Sequence, residues 1–221
     1  MTHLSLFKSY ALAGLIAVGL FAHSTSAHAA ASETLTVAGG CFWCVESDFE
    51  SVRGVKEAVS GFAGGTTANP TYKQVTGGNT GHYEAVQITF DPDVVSRDTL
   101  LSLFFRSIDP TDAGGQFCDR GASYRTAIFA ADSAQKAAAE KAKSDAQAAL
   151  GQKIVTPILG NAEFFAADAY HQDYYKSSDR LAVTSVGIGV KKSTAYKRYR
   201  KGCGRDARVK ALWGSDAPFV K

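Results

Sequence analysis

Three short apolar runs, Glu33–Ala38, Val55–Phe62 and Tyr83–Phe90, constrain this chain more than any other feature of it. Each has the length and residue types of a buried or half-buried strand. Between the first two, Phe42–Val52 has helical spacing and closes near Gly54. A Gly- and Thr-rich loop, 63–81, leads into the third run. Ser96 or Asp98 is placed to cap a helix running through Ile108. After the loop TDAGGQFCDRGAS comes a fourth strand, Tyr124–Ala130. Asp132 or Ser133 then opens an alanine-rich helix that ends at Gly151, and Ile154–Leu159 reads as one more strand. The order β-α-β-β-α-β predicts an α+β fold: a mixed sheet with packed helices, a variant of the ferredoxin-like arrangement. Beyond Gly160 the expectation is a long irregular C-terminal wrap. The Gly-rich stretches lack the G-x-G-x-x-G turn, which argues against a doubly wound nucleotide fold.

Before the first strand, Ala11–Ala22 is apolar but short for a bilayer span, and Ala27-His28-Ala29 has a small-x-small pattern. These features predict a signal peptide over residues 1–29, a single domain over 30–221, a periplasmic or secreted location, and no membrane segment after cleavage. The formal charge is +3, and Lys8 is the only charged residue of that leader, so the remainder carries +2. That balance argues against nucleic acid as a partner, despite the basic run KKSTAYKRYRK, which reads as a solvated segment.

Chemistry concentrates at GGCFWC, residues 39–44. Cys41 stands where a strand passes into a helix, and free N–H groups at a helix mouth favour a thiolate. Phe42 and Trp43 beside it suggest a small apolar pocket. In Tyr83–Phe90 the side chains of Glu84, Val86, Ile88 and Phe90 share one face. Glu84 therefore points where burial should keep its carboxyl protonated, which suits a proton donor. The four cysteines also allow a plainer reading, two structural disulfides in an oxidising compartment.

GGCFWCVE, the stretch GFAGGTTANPTYKQVTGGNTGHYEAV and DRGASYRTAIF closely resemble the peptide methionine sulfoxide reductases of the A type, in the expected order. The resemblance runs from about Leu35 to the segment HQDYY. It implies an enzyme that uses thiols to reduce methionine-S-sulfoxide, peptide-bound or free, with neither metal nor cofactor. Cys41 would attack the sulfoxide sulfur and end as a sulfenic acid, with Glu84 supplying the proton. Tyr72 and Tyr124 would hydrogen-bond the sulfoxide oxygen. Phe42 and Trp43 would hold the S-methyl group. Asp119 would contact the substrate backbone, and His171 and Tyr174 would line the site. The implied partners are oxidised proteins, free methionine sulfoxide and a thioredoxin-like electron donor, with the enzyme a monomer. His82 is expected to make a structural hydrogen bond.

A second thiol must then release water from the sulfenic acid. Cys203, between glycines in RKGCGR, matches the family's use of a flexible C-terminal cysteine. Cys44 lies one turn from Cys41, and Cys118 adjoins Asp119. Pairing 41 with 44 would leave 118 and 203 free to form a bridge. The same C-x-x-C spacing supports an alternative, a thioredoxin-like oxidoreductase acting through Cys41 and Cys44.

Overall fold

The computed structural model describes residues 32–184 and 187–220. The predicted leader lies outside the described residues. Among those described, no helix is long and apolar enough to cross a membrane.

The sheet is built from β1 (Glu33–Gly39), β2 (Val55–Ala63), β3 (Tyr83–Phe90) and, further on, a four-residue strand Thr126–Phe129. Two two-residue strands, β4 (Gly115–Gln116) and β5 (Asp119–Arg120), pair antiparallel in the loop before it, making Thr126–Phe129 β6. Short strands β7 (Ile158–Leu159) and β8 (Phe164–Ala166) complete the main sheet in the order β7-β6-β1-β3-β2-β8. All its pairings are antiparallel except β6 with β7. The central four strands, β6-β1-β3-β2, have the split β-α-β order expected from the sequence, with one strand added at each edge.

Helices α1 (Phe42–Phe49), α3 (Arg97–Arg106) and α4 (Ser133–Leu150) follow their strands, and a one-turn helix, α2 (Tyr72–Thr76), interrupts the Gly/Thr loop. The predicted caps are present: Ser96 accepts from the Thr99 N–H and Asp132 from the Gln135 N–H. Thr71 and Gln74 make a reciprocal capping box on α2, a start signal that the sequence reading missed. Phe42, Val45 and Phe49 of α1 pack with Leu100, Leu101, Phe104 and Phe105 of α3 against Val86, Ile88 and Phe90 of β3. That is the core face of β3, and Glu84 lies on it.

The C-terminal wrap is irregular only in its first part and ends in two helices. Lys192–Cys203 forms α5 and Arg205–Trp213 forms α6, joined at Gly204, whose φ of +74° ends the first helix. Lys192, Ala195, Tyr196 and Arg200 are buried along one stripe of α5. The helical period was present in KKSTAYKRYRK, but the stripe is carried by cations and tyrosines, so a hydropathy reading passes over it. Arg200 is accepted because Asp48 of α1 lies 2.7 Å away, and Asp206 also 2.7 Å away. Cys203 accordingly ends a helix rather than riding on a flexible tether.

Candidate active site

Between β1 and α1 the chain turns through Gly39 and Gly40. Gly40 has φ +82°, and a Cβ there would come within 2.5 Å of the Gln116 side chain. The turn delivers Cys41 as the N-cap residue of α1, and the side chains of Cys41 and Cys44 are hydrogen-bonded to each other. Both thiols are free and buried, Cys41 being 6% exposed. Around them pack Tyr174, Leu181, Ala195 and Tyr196, with Trp43 and Tyr199 at the margin.

Glu84 is 1% exposed, and its Oε2 accepts the N–H of Phe42 at 3.0 Å. Its other oxygen, Oε1, is buried and has no partner among the described residues. Burial, reinforced by the charges of Asp119 and Cys44, pushes this carboxyl up to about 8, although the Phe42 hydrogen bond works the other way. The register expectation for Glu84 is therefore met: the acid is neutral at neutral pH.

The expectation that Cys41 itself is an acidic thiol at the helix mouth is not met. Burial raises it well above the ordinary thiol value, and its hydrogen bond to Cys44 and the nearby carboxyls of Glu84 and Asp119 add to the rise. Cys44 moves the other way, because Cys41 donates to its sulfur and Arg205 and Arg200 lie near. The two thiols thus titrate as a coupled pair, in which the surroundings favour the charged form on Cys44 over Cys41.

Tyr72 and Tyr124 are hydrogen-bonded to each other, and burial raises both phenols, with the nearby Glu84 adding to it, so both are O–H donors. His171 stacks on Tyr72 at 4.3 Å and on Trp43 at 5.7 Å, and its ring is 5.4 Å from Phe42. Burial lowers His171 and keeps it neutral, and its Nδ1 has no partner among the described residues. Tyr174 lies flat on Trp43 at 3.9 Å. Phe42, Trp43, Tyr72, His171 and Tyr174 thus form one aromatic wall beside the Cys41 thiol. Asp119 is near enough for its charge to act on both Cys41 and Glu84, and it accepts a hydrogen bond from the Tyr199 hydroxyl. His82 lies apart: its Nδ1 accepts from the Gly65 N–H and its Nε2 donates to the Thr67 carbonyl, the structural task expected of it.

Cys118 and Cys203 form a disulfide across 85 residues of sequence. It borders the site, with the Cys203 sulfur 3.8 Å from Asp119 Oδ2. Sequence reasoning missed Tyr199 and Arg200, both on α5, and set Arg205 beside Cys203 where the structure brings its charge to Cys44. The signal was the spacing Tyr196, Tyr199, Arg200, Cys203, which puts two tyrosines, a cation and a thiol on one helix face.

Two thiols in contact, a neutral buried acid and an aromatic wall make up a thiol-dependent reductase for a small, partly apolar group. A family model described as "Peptide methionine sulfoxide reductase" matches residues 33–202. A peptide methionine sulfoxide reductase MsrA 2 of Rhizobium meliloti is 48% identical over 191 residues, covering 86% of this chain and 88% of that protein. Its namesake from Staphylococcus aureus is 45% identical, over 83% of this chain and 97% of that protein. Among solved structures, methionine sulfoxide reductase A of Corynebacterium diphtheriae superposes with a TM-score of 0.60 at 33% identity, over 71% of this chain and 82% of that one. Reduced Mxr1 from Saccharomyces cerevisiae gives 0.63 at 28%, over 72% and 92%. The chain belongs to the peptide methionine sulfoxide reductase family. The thioredoxin-like alternative is thereby set aside, and the antiparallel split β-α-β sheet agrees.

Proposed function

We propose that this enzyme reduces methionine sulfoxide through Cys41, with Glu84 as the acid and Cys44 as the resolving thiol. The observation that carries this reading is the Glu84 carboxyl: one oxygen is fixed to the residue after Cys41, the other is buried with no partner among the described residues, and burial favours the protonated acid. The Cys41 proton passes along the sulfur–sulfur hydrogen bond to Cys44. The Cys41 thiolate then bonds to the sulfoxide sulfur while Glu84 delivers its proton to the oxygen. Oxygen transfers to Cys41, methionine leaves as the reduced thioether, and Cys41 is oxidised to the sulfenic acid. The Cys44 thiol attacks that sulfur, and the hydroxyl group departs with the thiol proton as water, leaving a Cys41–Cys44 disulfide. A donor dithiol reduces it, restoring the Cys41 proton, the Cys44 charge and the proton on Glu84.

The phenols of Tyr72 and Tyr124 are the donors for the sulfoxide oxygen, and the wall of Phe42, Trp43 and His171 takes the S-methyl group. A methyl pocket on one side and an acid on the other select the S epimer. Cys44 is preferred over Cys203 because it already touches Cys41, whereas Cys203 is bonded to Cys118. The leader-like residues 1–29 support work outside the cytosol, with a thioredoxin-like relay protein as the donor.

The test is turnover of each methionine sulfoxide epimer with dithiothreitol, followed across pH. The wild type should reduce the S epimer, with an alkaline limb falling as pH rises through about 8, where Glu84 loses its proton. Glu84→Gln should be slower by about 10²–10⁴-fold and lack that limb. Equal rates on both epimers, or an unchanged Glu84→Gln profile, would overturn the assignment.

A further inference from the structure

Two walls of the site, His171 and Tyr174, come from a segment far along the chain with no regular helix or strand of its own. Side chains of α1 and of the segment itself hold His171–Tyr174 against α1 and β2. Glu46, two residues after Cys44 on α1, is buried, at 1% exposure. Its Oε1 accepts the backbone N–H of Asp173 at 2.6 Å, and its Oε2 accepts the Ser60 hydroxyl at 2.6 Å. Asp173 has φ +54°, a left-handed conformation that costs a non-glycine residue energy and needs outside support. Next to it, the Gln172 amide accepts the Ser60 N–H at 3.0 Å and donates to the Ser60 carbonyl at 2.8 Å and the Ala167 carbonyl at 2.9 Å. Gln172 thereby extends the β2–β8 ladder by one rung past Gly61. Lys176 lies 2.7 Å from both Glu50 and Asp173, which neutralises the acidic rim outside Glu46.

We propose that Glu46 is a positioning residue: it clamps the backbone at Asp173, and so fixes the His171 and Tyr174 rings over Trp43 and Tyr72. It does not touch the reacting atoms. The clamp tolerates either protonation state. A carboxylate accepts from both donors, while a carboxylic acid can accept from Asp173 and donate to the Ser60 oxygen. Glutamine can do the same as the acid, which makes the conservative variant a sharp control.

The inference rests on Cys41 being the nucleophile, so its test has a readout that needs no turnover. Emission of Trp43 is measured in a Trp213→Phe background, beside KM and single-turnover rate for methionine sulfoxide. Glu46→Ala leaves the Asp173 N–H without its carboxyl acceptor. It should raise KM about tenfold, change the single-turnover rate at saturation less than about threefold, and shift Trp43 emission as Tyr174 loosens. Glu46→Gln should restore KM and emission. Gln172→Ala, at a half-buried site that folding can tolerate, should move the same two quantities in the same direction. The proposal is overturned if Glu46→Gln is as impaired as Glu46→Ala. It is equally overturned if Glu46→Ala lowers the saturating rate with KM unchanged, or if Gln172→Ala leaves both KM and Trp43 emission untouched. A wild type that never reduces the sulfoxide would sink the catalytic reading instead, with the emission result still standing.

Discussion

The molecule holds two pairs of cysteines that differ in almost every respect. Cys41 and Cys44 are three residues apart, buried, reduced and in contact. Cys118 and Cys203 are 85 apart, nearer the surface, and joined. The first pair is close because one helical turn makes it so, and its environment acts on charge: burial opposes it, and Arg200 and Arg205 draw it to one sulfur. The second pair is close only because the whole fold brings the β4–β5 loop to the end of α5. Near the thiols of a local pair a protein can do chemistry without altering its architecture, while a distant pair must shape the architecture itself. On the proposed mechanism, turnover belongs to the first pair and the docking of α5 to the second.

The strongest way to break it is to swap serine for each thiol. Cys41→Ser should lose more than about a thousandfold in turnover, since no other group can take the oxygen. Cys44→Ser should still release one methionine per enzyme and then stall, with the sulfenic acid trapped by dimedone. It should also shift alkylation of Cys41 to lower pH, because the hydrogen bond to Cys44 and the charge on that sulfur both hold the Cys41 thiol up, and only burial and the carboxyls of Glu84 and Asp119 remain. If instead Cys203→Ser stalls after one turnover and Cys44→Ser does not, the roles of the two pairs are reversed and the second pair carries the electrons.

A middle-sized effect addresses the architectural half. Cys118→Ser or Cys203→Ser should lower stability by about 2–4 kcal/mol in thermal or denaturant unfolding, because the bridge closes a long loop in the unfolded chain. Turnover with dithiothreitol should change less than about threefold. A stability change near zero would mean that the buried contacts of α5, Arg200 with Asp48 above all, already hold the helix without the bridge.

How much of this was legible in the sequence follows the same division. The strands could be read because the apolar runs 33–38, 55–62 and 83–90 report burial directly, and strand alternation then placed Glu84 on the core face. Cys41, Glu84, Tyr72, Tyr124, Asp119, His171 and Tyr174 could be named because their motifs are specific, and the fold does gather them. The location of the charge could not be read. It depends on Arg200 and Arg205, which come from helices whose buried stripe is written in cations and tyrosines. The Cys118–Cys203 bond was legible only as the bridge left over if 41 pairs with 44, because it is a product of topology and not of spacing. Helices α5 and α6 read as a wrap in the sequence because a Lys- and Arg-rich segment looks solvated until its acidic partners, Asp48 and Asp206, are placed beside it.

The smallest expected effect sharpens the comparison most, because it lies where the two pairs meet. Tyr199 is one turn before Cys203 on α5, its hydroxyl donates to Asp119, and its ring meets Trp43 edge-on at 6.2 Å. If Asp119 is to contact a substrate backbone, Tyr199 must first release it, so the disulfide and its helix hold a competing donor over the site. Tyr199→Phe keeps the ring and removes that donor. One hydrogen bond is worth a factor of a few, so KM for a peptide sulfoxide should fall about threefold with the single-turnover rate unchanged. Free methionine sulfoxide, with less backbone to offer, should gain less. Reduction of the Cys118–Cys203 bond, which loosens the same helix end, should act in the same direction and add little to Tyr199→Phe if both relieve one contact. A rise in KM for Tyr199→Phe would mean the opposite, that the hydroxyl is itself a substrate contact and α5 a wall of the site and not its cover.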